Sequence, residues 1–388
     1  MDLKDFTHSE QRIHPAMASH LALGDTRFDV HCHLFTQNYI PENYFHVRLP
    51  WLRDQTIIRR LIRLLRGRKL DDDTWTQHAA DFLRVAKHEK MLDVAQELLA
   101  GDKHTFVFCP LMMDMTQAYG RANVRSMRDQ MDEMREVRDR YPERVLPFVA
   151  LDPNNPEMMD LFQKAFSTAY NFYGVKIYPI LGYLPNHPKL MEVFELCELL
   201  KIPVTTHCGG NATRANGLHF KLPYRHYDAL GDQVDLVQSI SFRSEAEKGA
   251  YFNDPKRWAP VLERFPKLRL NLAHFGGEDA WEDFSQKKPN TWVHQIVQLM
   301  EAYEHVFTDV SFILHLTEKR NSSFIECFEE LLNEKTIVRN RTLFGTDYYM
   351  LIIHEKLPLA IQNFLIRLDD GLVQKLVTDN PKKFLNLV

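Results

Sequence analysis

Two histidines separated by one residue follow a short apolar run: His31 and His33 come directly after Phe28-Asp29-Val30. Successive side chains of a β-strand point to opposite faces, so both imidazoles would lie on one side of a strand while Cys32 points away. Two imidazoles on one side can bind the same metal ion. Because a chain with 18 histidines is expected to contain such a pair by chance, the pair needs further ligands to carry meaning.

Eight short runs rich in β-branched and aromatic residues recur along the chain, and each is followed by a stretch with helical character. This alternation predicts parallel βαβ units, and eight units are the number that closes a (β/α)8 barrel. We therefore predict an α/β fold of the TIM-barrel type. The predicted strands are residues 28–35, 105–111, 145–151, 174–178, 203–207, 269–274, 306–312 and 342–347.

Two connections are too long for simple barrel turns, namely residues 36–103 after the first strand and 208–253 after the fifth. Both follow the carboxyl ends of strands, where barrel enzymes build their active sites, so we predict helical insertions that form lids or substrate walls. We expect residues 1–27 to be an N-terminal extension and residues 28–388 to be one domain. The first insertion contains a basic stretch at 57–69, where we favour a solvated helix over a membrane-surface or partner helix.

The charge balance argues against polyanionic partners. The chain has 48 basic and 52 acidic residues, a formal net charge of −4, so no overall field draws it to nucleic acid or to an anionic membrane. We expect a small-molecule substrate as the partner, and a homodimer is plausible from base rates alone.

The five cysteines are odd in number and lack C-x-x-C spacing, which argues against a disulfide framework and against a zinc knuckle. The first 24 residues contain no uninterrupted apolar segment, and no stretch approaches the ~20 apolar residues that a membrane-spanning helix requires. We therefore expect a cytoplasmic protein.

Side chains with metal-binding or acid–base chemistry stand at the carboxyl ends of five predicted strands. Imidazole and carboxylate donors suit zinc, manganese or iron, and the missing thiolates argue against a purely structural zinc site. Since strand ends of a barrel converge in space, these positions predict one catalytic ion with an open coordination position. The side chains are those of His31 and His33, Lys176, His207, His274 and Asp347.

These strand-end motifs resemble those of the amidohydrolase superfamily. The matching segments are 29–33 (DVHCH), 174–176 (GVK), 204–207 (VTTH), 271–277 (NLAHFGG) and 344–347 (FGTD), with Asn380-Pro381 and Phe384-Leu385 in the closing helix. More narrowly, the chain resembles the amidohydrolase-related branch, which includes metal-dependent hydrolases and the decarboxylases related to aminocarboxymuconate-semialdehyde decarboxylase. The resemblance spans about residues 28–388 and specifies no substrate.

The resemblance implies a role for each strand-end residue. His31, His33 and His207 would be metal ligands, Asp347 would complete the shell or hold the metal-bound water, and His274 would be the acid–base residue. The ion would be Zn²⁺, with Mn²⁺ or Fe²⁺ as alternatives, and we expect one ion rather than two. The role of Lys176 is left open. It would bridge a second ion when carbamylated, or donate to a substrate oxygen, and we favour the second role.

Three functions are compatible with this ligand set. In the first, metal-activated water attacks a small carboxylate, lactone or amide-like substrate, because a divalent ion lowers the pKa of bound water from 15.7 to about 7. The alternative is a non-oxidative decarboxylase, in which the same ion stabilises the charge left as carbon dioxide departs. The third is a non-catalytic binding protein on a retained barrel. We favour the metal-dependent hydrolase.

Several residues just beyond the strands are candidates for lining the substrate pocket. A guanidinium such as that of Arg214 would suit a carboxylate substrate, since the two groups form bidentate pairs. The candidates are Tyr178, Arg214, His219, Trp281 and Tyr348.

Overall fold

A computed structural model describes residues 6–22, 24–41, 81–102, 105–118, 125–210, 217–228, 231–317, 323–353 and 356–387. Arg214 and the basic stretch 57–69 lie outside these ranges, so the predictions made for them stay predictions. Within the described ranges, no helix combines the length and the apolar character needed to cross a lipid bilayer.

Eight parallel strands lie at the eight predicted positions, and each is shorter than its predicted run. Their buried, β-branched and aromatic side chains favour extended backbone. In chain order, these strands are β1 Phe28–Cys32, β2 Val107–Pro110, β3 Phe148–Leu151, β4 Gly174–Ile177, β5 Val204–Thr206, β8 Leu270–Leu272, β9 Val306–Asp309 and β10 Thr342–Leu343.

The strands are ordered as in a (β/α)8 barrel. β1 pairs with β2, and a six-stranded sheet runs in the order β3, β4, β5, β8, β9, β10. Parallel bridges from Phe108 to Val145 and from Leu111 to the start of β3 connect the two groups on one side. On the other side, Val30 N donates to Phe344 O at 3.0 Å, and Cys32 forms a parallel bridge with Tyr348. The α/β barrel prediction is confirmed.

Helices connect and cover the strands. Serine and aspartate side chains cap several of them by accepting hydrogen bonds from first-turn amides, as Ser126, Ser244 and Asp369 do. The α-helices with both ends inside the described ranges are α1 Pro15–Leu21, α2 Met91–Gly101, α3 Met127–Arg140, α4 Met158–Ala165, α5 Pro188–Leu199, α6 Glu245–Phe252, α7 Ala259–Arg264, α8 Glu278–Ser285, α9 Trp292–Ala302, α10 Phe324–Glu334, α11 Thr336–Arg339, α12 Leu357–Leu365, α13 Asp370–Gln374 and α14 Asn380–Phe384.

The insertion after β5 differs from its prediction. A helical insertion was expected there, but its longest elements are two nine-residue antiparallel strands, β6 His219–Tyr227 and β7 Gln233–Ser241. The sequence of β6 alternates apolar and polar residues with a period of two, which suits a strand with one covered face and not a helix. Only the short helix α6 follows the hairpin. In the insertion after β1, the described part contains the helix α2, as predicted.

The N-terminal residues pack on the barrel. The Arg12 guanidinium donates to the carbonyls of Tyr173 and Leu200 at 3.0 and 2.9 Å. Met17 of α1 is fully buried in a cluster with Phe28 of β1 and with Phe384 of α14. These apolar contacts therefore cover the end of the barrel at which β1 begins.

Candidate functional site

Two histidines and one aspartate converge where β1 and β10 end. Nε2 of His33 lies 3.1 Å from Oδ1 of Asp347, and Nε2 of His31 lies 3.5 Å from the same oxygen. Two donors bound tetrahedrally to one zinc ion at ~2.1 Å are themselves about 3.4 Å apart. The separations of the two nitrogens from Oδ1 of Asp347 therefore fit ligands that share a divalent ion.

Hydrogen bonds fix the tautomers of both histidines. His33 Nδ1 lies 2.8 Å from the carbonyl oxygen of Leu111. His31 Nδ1 lies 3.1 Å from Oδ2 of Asp309 and 3.0 Å from Oγ of Ser311. A carbonyl and a carboxylate can only accept, so both Nδ1 atoms carry the hydrogen. In the neutral form, each imidazole therefore has its Nε2 lone pair available for a metal ion. Nε2 of a protonated His33 would instead donate to Oδ1 of Asp347, which lies 3.1 Å away.

A second pair of histidines adjoins this group. Nδ1 of His274 lies 3.2 Å from the carbonyl oxygen of Ser311, and Nε2 of His274 lies 3.0 Å from Nδ1 of His207. If Nδ1 of His274 donates to that carbonyl, its Nε2 accepts the hydrogen of His207, and the Nε2 lone pair of His207 is left free. That Nε2 is buried and has no hydrogen-bond partner among the described residues, and the same holds for Nε2 of His31.

Among the described residues, two compact groups of possible ligands have donor atoms within 4.8 Å of one another. One contains His31, His33 and Asp347, and the other contains His31, His274 and Asp309. The first is the group of predicted ligands. His207 joins it through His274, whose ring centroid lies 4.6 Å from that of His207 and 4.8 Å from that of His31. The structure thus brings the four predicted strand-end histidines and Asp347 to one end of the barrel. Their individual roles as ligands or catalysts stay predictions.

Asp309, at the end of β9, is the site residue that sequence reasoning missed. Its Oδ2 accepts from His31 and, at 2.6 Å, from Nδ2 of Asn271. Its Oδ1 accepts from the backbone amides of His274 and Ser311, both at 3.0 Å, and from the Ser311 hydroxyl. One carboxylate therefore orients two of the four histidines. An aspartate inside the apolar run that forms β9 was the available signal, because a buried carboxylate needs partners of this kind.

The site favours the neutral form of three histidines and the ionised form of two carboxylates. Burial lowers the pKa of His31 to about 3 and lowers the pKa values of His207 and His274 as well. Burial alone would raise the pKa of Asp347, but the contacts with His33 and His31 outweigh it and the pKa is lowered. The pKa of Asp309 is also lowered, since the contact with His31 outweighs burial. Unprotonated imidazole and carboxylate are the forms that metal ions require.

A second buried carboxylate aligns the backbone at the site. Asp29 accepts from the amides of His31 and Thr346 at 3.1 and 3.0 Å, and from the Thr346 hydroxyl at 2.6 Å. It thereby ties β1 to the segment that follows β10. In that segment Asp347 has a left-handed backbone with φ 57°, an unfavourable conformation for a non-glycine residue. The hydrogen bond from its amide to the carbonyl of His31, at 2.7 Å, helps to hold it.

Gly345 lets these two segments approach closely. A Cβ at this position would lie 2.7 Å from Cβ of His31 and 3.2 Å from Cβ of Ser311. Carbon atoms at the shorter separation overlap, so only glycine fits without moving the histidine.

Lys176 and Tyr178 lie near the histidines, as predicted for the end of β4. Lys176 is buried, and burial lowers its pKa to about 8 although the charges of Asp347 and Asp309 oppose the shift. Within the described ranges its amine has no hydrogen bond and no ion pair. The ring of Tyr178 stands edge-on to His207 with centroids 4.8 Å apart.

Two other predicted pocket residues, Trp281 and His219, contact groups outside the histidine cluster. Trp281 is buried among aromatic side chains, with ring centroids 5.1 Å from those of both Phe275 and Phe324. His219 is an exposed residue of the hairpin and bonds Oγ of Ser241 at 2.9 Å. Tyr348 is buried, and it directly follows Asp347 in the sequence.

The amidohydrolase family model matches residues 28–387, nearly the whole chain and every site residue above. The chain belongs to the amidohydrolase family. The resemblance of the strand-end motifs is thereby confirmed. No curated protein matches the sequence.

Solved structures similar to this amidohydrolase share its fold at low identity. An uncharacterised TIM-barrel protein from Bordetella bronchiseptica has 16% identity and a TM-score of 0.54, covering 93% of this chain and 98% of its own. A probable 2-pyrone-4,6-dicarboxylic acid hydrolase from Acinetobacter baumannii has 14% identity and a TM-score of 0.51, covering 93% and 99%. A 2,6-dihydroxybenzoate decarboxylase from Rhizobium has 13% identity and a TM-score of 0.50, covering 94% and 99%. These comparisons support the barrel and leave the reaction undetermined.

Proposed function

We propose that this amidohydrolase is a metal-dependent hydrolase of a small carboxylate, lactone or amide-like substrate. The observation that carries the proposal is the pair of buried Nε2 atoms of His31 and His207, which have no hydrogen-bond partner among the described residues, together with the nearby His33 and Asp347. Burying unpartnered imidazole nitrogens is unfavourable, and a bound cation satisfies them.

His31, His33, His207 and Asp347 are the residues that would hold the ion. All donate through nitrogen or carboxylate oxygen, which suits Zn²⁺ best and also admits Mn²⁺ or Fe²⁺. We propose a single ion. When bound, it would polarise a substrate carbonyl and lower the pKa of water from 15.7 to about 7.

The chain itself supplies groups that move protons. Asp347 is ionised and can accept a proton from the attacking water. His274 is neutral, and its Nε2 can take up a proton and return it to the leaving group once it exchanges its hydrogen bond with His207 for one with the substrate. Proton transfer is the step that distinguishes hydrolysis from simple binding.

Lys176 gives the site a preference for acidic substrates. Its buried amine can donate to a carboxylate or carbonyl oxygen, and the low dielectric of the barrel interior strengthens that contact. We propose that it orients the substrate. Tyr178 would form a wall beside His207. The free cysteines are in keeping with a reducing, cytoplasmic location.

The alternative is a decarboxylase. The same Lys176 would then pair with the negative charge that develops as carbon dioxide leaves, and no attacking water would be needed. The two reactions differ in their products.

Product analysis in ¹⁸O-labelled water tests the proposal. Metal-loaded protein is incubated with small lactones, amides and aromatic carboxylic acids, and products are identified by mass spectrometry with parallel detection of carbon dioxide. Hydrolysis predicts one labelled oxygen in the product and no carbon dioxide. Release of carbon dioxide from a carboxylic acid would establish the alternative. Asp347→Asn should abolish turnover, whereas Asp152→Asn, which changes a buried aspartate outside the histidine cluster, should retain it.

A further inference from the structure

The hairpin β6–β7 has one covered edge and one open edge. Its strands pair without a register break from His219–Ser241 to Tyr227–Gln233. The outer edge of β6 is covered at Arg225, whose amide donates to the carbonyl of Asn186 at 2.7 Å and whose carbonyl accepts from Nδ2 of Asn186 at 3.1 Å. The outer edge of β7 makes no backbone hydrogen bond to any part of the chain that the structure describes.

The register shows which backbone groups of β7 face the open edge. Residues directly opposite each other in an antiparallel pair both point inward or both point outward. Arg225 points outward to Asn186, so its partner Asp235 also points outward. Pro223 lies two residues earlier, has no amide hydrogen to give to β7, and is paired with Val237. The amides and carbonyls of Asp235, Val237 and Ser239 therefore point to the open edge.

This edge has few of the features that normally prevent strand pairing. β7 is nine residues long and contains no lysine, arginine, proline or bulge, which are the usual protective devices. It also exposes apolar side chains: Val237 is 65% exposed, and Val234 and Leu236 are each 40% exposed. A long, regular, apolar edge of this kind is a site for adding another strand.

We propose that two copies of the chain associate through β7, pairing antiparallel about a two-fold axis at Val237. In this register each Val237 lies opposite the partner's Val237 with amides and carbonyls facing each other, and the same is true of Asp235 and the partner's Ser239. The result is a four-stranded antiparallel sheet in the order β6, β7, β7, β6. It buries the exposed valine against its own copy, as an isologous interface requires.

The charges of β7 fit a second copy. Asp235 is its only charged residue, and Arg225 neutralises it through contacts of 2.7 and 3.0 Å. In the dimer Asp235 lies opposite a serine. The two Asp235 side chains are four positions apart along the strands, about 14 Å, which exceeds the Debye length of ~8 Å at physiological salt. No like charges meet across the axis.

Sedimentation or light scattering of the full chain tests this proposal. Native protein should have twice the chain mass of 45.7 kDa. Val237→Lys places two ammonium groups at the axis and should raise the dimer dissociation constant by about tenfold or more, whereas Val237→Thr should stay dimeric. Mixing Val237→Lys with Val237→Glu should restore a dimer. A monomeric native chain, or a Val237→Lys variant as associated as the native chain, would overturn the proposal.

Cysteine cross-linking tests the register independently. Opposed residues of a hydrogen-bonded pair have Cα atoms about 5.5 Å apart, within the range a disulfide spans. Val237→Cys should therefore form a disulfide-linked dimer on mild oxidation. Ser239→Cys is the matched control, because the two copies of residue 239 lie about 14 Å apart in this register. Equal cross-linking at both positions, or none at 237, would refute the two-fold pairing. The native chain controls for Cys327, which is partly exposed.

Discussion

Replacing Asp309 by asparagine should weaken metal binding without a change in any proposed ligand. The carboxylate accepts hydrogen bonds on both oxygens, whereas an amide accepts on one and donates from the other. The three groups that donate to Oδ1 of Asp309 would still find an acceptor there, because the amide oxygen of the new side chain would take that position. The amide nitrogen would then face Nδ1 of His31 and Nδ2 of Asn271, which both now donate.

The conflict at Asn271 is relieved if its side-chain amide rotates by 180°, and the conflict at His31 is relieved if His31 changes tautomer. Its Nδ1 would accept from the new amide, and its Nε2 would carry the hydrogen and lose the lone pair directed toward Asp347. Loss of such an outer partner costs about 10- to 100-fold in metal affinity, which corresponds to about 1.4–2.7 kcal/mol of binding free energy. We expect Asp309→Asn to fall in this range.

Competition titration with a chromophoric chelator measures this affinity without a substrate. Asp152→Asn is the matched control. It changes a buried aspartate whose pKa is raised to about 7 by burial and which has no hydrogen bond or ion pair with the four site histidines. Thermal unfolding of each variant verifies that it folds. Wild-type zinc affinity in a folded Asp309→Asn protein would refute the inference that this carboxylate fixes the tautomer of His31.

Three further predictions follow from the site. Gly345→Ala should displace His31 and destabilise the protein by about 1–3 kcal/mol in urea unfolding. Gly101→Ala is the control, because its new Cβ meets no atom within 4 Å, and it should leave stability unchanged or raise it by up to about 1 kcal/mol. Equal destabilisation by the two substitutions would contradict the packing argument. The pKa of buried His31 lies at about 3 instead of 6.5. As the pH falls, this histidine is therefore protonated in the unfolded chain before it is protonated in the folded protein. Metal-free protein should therefore lose stability as pH falls from about 6.5, by up to about 1.4 kcal/mol per pH unit, and a flat profile between pH 7 and pH 5 would count against this. Intact mass under mild conditions should show unmodified Lys176, and an added mass of one carbon dioxide would favour the bridging role and a second ion.

The barrel could be predicted because its signals are local. Each strand is a short run of β-branched and aromatic residues, and polar residues at the strand ends indicate a functional edge. Asp347 is far from His31 and His33 in sequence, yet the rule that strand ends converge was sufficient to group them. The left-handed backbone at Asp347 was not predictable, since it depends on contacts with β1.

Other features depend on partners that sequence patterns do not reveal. Asp309 lies within a correctly predicted strand, but its role emerges only from the five donors that surround it. The hairpin was missed because 208–253 was treated as an insertion by length, although residues of β6 alternate with a period of two. Trp281 was predicted to line the pocket because it follows His274 closely in sequence. It lies on α8, and its side chain packs among aromatic residues of the core.

The metal site itself is tested most directly by plasma mass spectrometry of protein purified without added metal and again after reconstitution with zinc. We predict one ion per chain, and a loss of bound metal in His31→Ala and Asp347→Asn proteins that remain folded. Full metal content in these variants, or none in the reconstituted native chain, would contradict the site.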